Sequence, residues 1–179
     1  MLRCVGLLLL AFGHSKPSSR LRHRRRLSYA QLARLTAADG DSRFGYAVAT
    51  SGDTVAVAAY SVDAAGAVYV LRASDGAELA KLTPNEPDDE DGFGRSVAID
   101  GSTVVVGAFR AGTSGAVYIF STTDGWTTHT EIKVSPELAV SPELAGADPR
   151  FGSSVAISEA IYNTIAVGAD GADNGRGAA

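Results

Sequence analysis

The chain lacks most of what small proteins use to staple themselves or to do chemistry. Its 179 residues include one cysteine (Cys4), one methionine, one tryptophan and three histidines. A single thiol excludes an internal disulfide framework, so stability has to come from packing and strand pairing. The longest apolar run, Cys4–Ala11, is far short of the about 20 residues that span a bilayer as a helix. The first 38 residues contain no acid and eight Lys/Arg. From residue 39 onward the balance reverses: eight basic residues face twenty acids, a net of 8 − 20 = −12. Phosphate binding needs clustered Lys and Arg, so the acidic part is not expected to bind nucleic acid. Beyond residue 38 the only histidine is His129, no cysteine nucleophile follows, and no glycine loop carries a phosphate-binding lysine. This excludes the common catalytic constellations and points away from an enzyme.

What the chain does have is repetition. Three units open with Phe-Gly, at Phe44-Gly45, Phe93-Gly94 and Phe151-Gly152. Residues 44–71 and 93–120 align without a gap at an offset of 49 residues, and the third Phe-Gly follows after 58. A repeat of this length implies stacked units, each burying its faces against its neighbours. Each unit reads as four short strands. In the first, Tyr46–Thr50 alternates, and Ser51-Gly52-Asp53 is a turn. Thr54–Ala59 is almost wholly apolar, as a strand covered on both faces is. Ala67–Leu71 follows, then an Asp75-Gly76 hairpin and the more polar, outermost Glu78–Thr83. The second unit repeats the series through Asp124-Gly125 to Val134. The third has the strands Ser154–Ile157 and Thr164–Ala169, with Gly177-Ala178 where a third strand would begin. Gln31–Thr36 resembles Glu78–Thr83, which makes Tyr29–Thr36 a further strand. A doubled Val-Ser-Pro-Glu-Leu-Ala over 134–145 widens the second unit as a surface loop, since its prolines exclude a central strand.

The units resemble FG-GAP repeats, the blades of integrin α-subunit propellers. The resemblance rests on Phe93-Gly94-Arg95-Ser96-Val97-Ala98, Val104-Val105-Val106-Gly107-Ala108 and Gly115-Ala116-Val117-Tyr118-Ile119-Phe120, and on Phe151–Ala156 with Val167-Gly168-Ala169. It covers residues 30–179. The proline that ends the family's Gly-Ala-Pro segment is replaced by Tyr60, Phe109 and Asp170. The resemblance implies an all-β fold: a partial β-propeller of two complete four-stranded antiparallel blades plus a half blade, preceded by a disordered or helical targeting segment. The expected divisions are a signal peptide (1–13), a basic linker (14–27) and a propeller segment (28–179) with units 44–92, 93–150 and 151–179. The signal reading rests on Arg3, the apolar run and the small residues Ala11 and Gly13 at the −3 and −1 positions of a cut after Gly13. An organelle transit peptide is the rival, favoured by the basic flank Lys16–Arg26.

Phe44, Gly45, Phe93, Gly94, Gly107, Phe151, Gly152 and Gly168 are read as packing residues. Large rings plug adjacent sheets, and glycines let backbones approach. Some integrin-type blades hold calcium in an Asp-rich turn, but the matching turns here offer too few carboxylates for six or more oxygen ligands. Asp88, Asp89 and Asp91 before the second Phe-Gly, and Asp170 and Asp173 in the last loop, are the remaining calcium candidates. The first group is read as a solvated charge run, so neither metal nor cofactor is expected. The implied role is a secreted or cell-surface binding or adhesion module, taking a protein or glycan at loops 60–65, 84–92, 110–114 and 134–150. The alternative is the propeller part of a larger secreted hydrolase. A third, quinone-cofactor propeller reading expects a tryptophan near Ala80 and finds none. The half unit leads us to expect a fragment that self-associates through its third unit, with Tyr29–Thr36 covering part of it.

Overall fold

The computed structural model describes residues 7–12, 29–37, 43–60, 66–86, 91–136, 150–158 and 164–171. Every regular element among them is a strand. In chain order these are β1 (Leu7–Phe12), β2 (Tyr29–Leu35), β3 (Phe44–Ser51), β4 (Thr54–Ala59), β5 (Ala67–Arg72), β6 (Glu78–Leu82), β7 (Phe93–Asp100), β8 (Thr103–Ala108), β9 (Ala116–Ser121), β10 (Thr130–Val134), β11 (Phe151–Ser158) and β12 (Thr164–Ala169). The expected blades are present. One antiparallel meander is ordered β3-β4-β5-β6, the next β7-β8-β9-β10, and β11-β12 forms a two-stranded half blade. Among the described residues no helix is long and apolar enough to cross a membrane.

Each blade starts with the same backbone device. The residue before Phe and the Gly after it both have positive φ: Arg43 63° and Gly45 92°, Gly92 66° and Gly94 85°, Arg150 53° and Gly152 90°. Between them the chain turns tightly, with the amides of Tyr46, Arg95 and Ser153 donating to the carbonyls of Arg43, Gly92 and Arg150 at 3.0–3.2 Å. The turn is a bulge in the first strand pair: Phe93 pairs with Ala108, then the register slips so that Ser96 meets Gly107. A β-branched or bulky side chain is strained at the second positive φ, which is why Gly follows Phe each time. The bulge re-aims the ring inward. Phe93 is fully buried, edge-on to Tyr118 and Phe120 at centroid distances of 5.3 and 6.0 Å.

The second and third strands of each blade are covered on both sides, as their apolar runs predict. Odd-numbered Val55, Val57, Ala59, Ala67, Tyr69 and Leu71 share one cluster with Phe44 and Leu35. Even-numbered Ala56, Ala58, Val68 and Val70 share another with Phe93, Val104, Val106, Tyr118 and Phe120 of the second blade. The opposite face of the second blade, through Val105 and Val117, meets Phe151, Ile165 and Val167 of the half blade. The sheets therefore stack face to face. Each fully buried aliphatic side chain contributes about 1.5–3 kcal/mol from apolar transfer. Gly107 marks where two sheets come closest: a Cβ there would fall on the Gly152 carbonyl oxygen. That carbonyl accepts the Ser96 hydroxyl at 2.9 Å, and the Phe151 amide donates to the Ser114 carbonyl at 3.0 Å.

Two expectations are corrected. Within the amino-terminal segment expected to be disordered or helical, Leu7–Phe12 is extended and pairs antiparallel with Tyr29–Leu35. An apolar run without helical periodicity can satisfy its backbone groups on a neighbouring strand. Nor does Tyr29–Thr36 cover the third unit. Leu35 is buried in the cluster on the first blade, with Phe44 and Tyr69, and its burial there directs the strand to that blade. The cut after Gly13, the linker 14–27 and the doubled segment from residue 137 lie outside the described residues.

The β9–β10 hairpin is held by side chains. The Asp124 carboxylate accepts the Thr128 amide at 3.0 Å and the Thr128 hydroxyl at 2.7 Å. The Thr122 hydroxyl donates to the Thr128 carbonyl at 2.7 Å and accepts the Trp126 amide at 3.1 Å. This network holds Trp126 at φ 79° and sends its ring into the cluster between the two blades. The backbone amide of Thr128, then its hydroxyl, then Thr122, lower the Asp124 carboxyl from 3.8 to about 2.

Two outcomes follow from this packing. Phe93→Ala should lose about 3–5 kcal/mol in urea denaturation, whereas Ile132→Ala, at a site 59% exposed, should change stability by less than about 0.5 kcal/mol. Because the Asp124 pKa is depressed in the fold, its contribution is full above pH 3.8 and is lost as pH falls through about 2. Emission from Trp126, the only tryptophan, should therefore shift red between pH 4 and 2, and Asp124→Ala should show the red-shifted emission already at pH 7. A wild-type-like spectrum for that variant would contradict the network's role.

Candidate functional site at the arginine–aromatic end of the blades

The residues singled out by the repeats lie at blade contacts. Phe44 meets the Tyr69 ring edge-on at 5.4 Å, and Phe93, Phe151 and Gly152 line the interfaces described above. Gly168 is confined within its own sheet, where a Cβ would strike the Ser154 hydroxyl. The acids are not gathered: among the described residues no three of His, Cys, Asp and Glu stand together as a metal site. Asp88, Asp89 and Asp173 lie outside the described residues, and Asp170 is exposed. Asp91 departs from the solvated charge run expected of it and is only 4% exposed. Its carbonyl accepts the Arg110 amide at 3.1 Å, and its carboxylate lies 3.5 Å from the Tyr118 hydroxyl. Burial pushes the Tyr118 hydroxyl up, and its contact with Lys133 raises that ammonium. A buried carboxylate is tolerable here because donors and a cation surround it.

The between-strand turns carry cross-blade hydrogen bonds. The Gly101 amide donates to the Ser51 hydroxyl at 3.1 Å, and Ser51 Oγ lies 3.5 Å from Asp100 Oδ1. His129 is exposed and packs edge-on against Phe120 at 5.6 Å.

A different group of residues forms the most distinctive surface. It lies where first strands begin and second strands end. Tyr46 and Arg95 occupy the same repeat position, directly after Phe-Gly. Tyr60 and Phe109 occupy the place of the missing proline, and Arg43 and Arg110 flank them. Tyr46 and Tyr60 stack at 4.7 Å, and Tyr60 and Phe109 lie 6.5 Å apart. The Arg95 guanidinium sits between two rings, 5.4 Å from Tyr46 of the first blade and 5.5 Å from Phe109 of the second. Arg43 lies over Tyr60 at 5.8 Å and Arg110 over Phe109 at 5.2 Å. Each such contact contributes about 0.5–1 kcal/mol at exposed sites. These three guanidinium groups are exposed and, among the described residues, lie over aromatic rings. The result is a rigid cationic and aromatic surface on an acidic chain.

At the same end, the loop after β8 encloses a hollow of about 190 Å³ lined by Ala111–Ala116, Lys133 and Ser135. Its lining begins one residue past Arg110 and includes Lys133. Sequence reading had placed binding on the loops alone. The signal for the cluster was there in Tyr60 and Phe109, the two aromatic departures from the family's proline.

Two stretches match the model of the FG-GAP repeat, residues 29–71 and 76–120. Each match runs from an outermost strand through the three strands of the following blade, β2 to β5 and β6 to β9. A search of curated proteins finds no match to the chain. The matched stretches coincide with the Phe-Gly turns and stacked meanders seen in the structure, and the chain is therefore an FG-GAP repeat protein whose repeats are built as propeller-type blades.

Proposed function

We propose that the chain is a non-enzymatic binding module of the cell surface or secretory pathway that engages an acidic segment of a partner protein. FG-GAP repeats are typically extracellular and suggest a protein-binding module. The observation that carries the reading is Arg95 held between Tyr46 and Phe109. A guanidinium fixed by two rings loses little freedom when its fork meets a carboxylate, and that pairing is bidentate and charge-assisted. Tyr and Arg are also the side chains that dominate binding energy at protein interfaces. Although residues 39–179 carry a formal charge of −12, the three arginines gather positive charge at this end of the blades, where an acidic segment can pair with them.

The direct test is anisotropy of a labelled octaglutamate peptide, with a heparin fragment as the competing probe. The peptide should bind, more weakly at high salt. Arg95→Gln should weaken binding about tenfold, equivalent to about 1.4 kcal/mol, while the variant still melts cooperatively, its midpoint lowered only by the loss of its two ring contacts. Equal affinity for the variant, or binding of heparin and not of the peptide, would overturn the acidic-protein reading.

A further inference from the structure

The hollow after β8 is apolar at its base and polar at its mouth. Ala111, Gly115 and Ala116 of its lining are buried, and none carries more than a methyl group. Thr113 and Lys133 are exposed and Ser135 is half-buried, so hydroxyls and an ammonium stand at the opening. The small residues belong to the second unit. The gapless alignment sets Val62 and Asp63 of the first unit against Ala111 and Gly112.

The hollow is held open before anything enters it. The Gly115 amide donates to the Ala111 carbonyl at 2.9 Å, and the Ala111 amide to the Ala108 carbonyl at 3.0 Å. From the third unit, the Phe151 amide donates to the Ser114 carbonyl at 3.0 Å. Gly115 stands at φ 83°, and a Cβ there would strike the Phe151 carbonyl oxygen. A loop fixed from both sides has little freedom left to lose when a ligand enters.

Size and charge define the occupant. A cavity of about 150 Å³ takes a benzene ring, so the about 190 Å³ here fits one ring-sized side chain. A drug-sized ligand needs a cleft of roughly 300–1,000 Å³. Cations flank the opening. The Arg110 guanidinium, one residue before Ala111, lies over Phe109 at 5.2 Å. The Lys133 ammonium lies over the Tyr118 ring at 5.4 Å. The Tyr118 hydroxyl, then Asp91 and Glu86, raise that ammonium and keep it charged. Among the described residues that line the hollow none is acidic.

We infer that the hollow is an anchor subsite, taking one ring-sized apolar side chain of the partner's acidic segment while the carboxylates beside that side chain pair with Arg110 and Lys133. The inference rests on the acidic-segment reading proposed above. Buried apolar anchors ringed by polar pairs that exclude water carry most of the energy at protein interfaces, and the base of methyl groups with its cationic mouth has that form.

Four labelled peptides test it by anisotropy: octaglutamate, octaglutamate with Phe or with Ala at its fourth position, and the Phe peptide with every glutamate replaced by glutamine. The Phe peptide should bind about tenfold tighter than octaglutamate although it carries one charge fewer, and the Ala peptide should bind no tighter than octaglutamate. Thr113→Phe and Ser135→Phe each add a ring at the mouth that occupies the hollow, and both should bring the Phe and Ala peptides within about twofold of one another. Arg95→Gln should weaken both peptides and leave their ratio. Equal affinity of the unaltered chain for the Phe and Ala peptides would overturn the inference, and so would a Phe preference that survives both filling variants. Binding of the glutamine peptide as tight as that of its glutamate counterpart would overturn the acidic-segment reading and leave the hollow as an apolar subsite.

Discussion

The fold depends on the close approach of one blade's Phe-Gly turn to the backbone of the blade before it. The turn places a large ring in the core and a bare backbone at the contact, and the two functions require adjacent residues of opposite size. Phe151 and Gly152 show the arrangement fully. The Phe151 amide donates to the Ser114 carbonyl, the Gly152 carbonyl accepts the Ser96 hydroxyl, and Gly107 has no side chain to hold the strands apart. With this junction made, the apolar faces of neighbouring sheets meet in register along their length. Alternation within a strand then does the rest, because odd and even positions belong to different interfaces.

The same junction positions the proposed site. Tyr46 and Arg95 follow Phe-Gly directly, and Tyr60 and Phe109 leave the second strands alongside. Equivalent positions of successive blades are thereby brought within ring-stacking distance. The binding surface is a by-product of blade stacking: side chains that are remote in sequence converge because the repeats do. A scaffold of this kind can change its ligand at those positions without disturbing the core.

Much of the fold could be read from the sequence because it is local and periodic. The Thr54–Ala59 and Thr103–Ala108 runs announce strands covered on both sides, and the Asp75-Gly76 and Asp124-Gly125 pairs announce hairpins. Both features are decided by a few neighbouring residues. The arginine–aromatic cluster was legible only in Tyr60 and Phe109, which stand where the family has proline, since its six members come from two blades and no short window contains them. Trp126 follows the Asp124-Gly125 hairpin pair, and the Asp124 and Thr122 hydrogen bonds are what turn it inward. Asp91 looked solvated because it ends an acidic run, yet Tyr118, Lys133 and the Arg110 amide lie across the fold from it. Leu7–Phe12 had no alternation to separate a strand from a signal core.

The dependence of the stack on close backbone approach is tested most directly by hydrogen exchange in Gly107→Val. The account predicts that the Phe151 amide loses protection as the half blade is forced off, while amides of β3 to β6 keep theirs. Unchanged protection at Phe151 would show that the blades are held by side-chain packing alone, and would contradict the central role given to the junction.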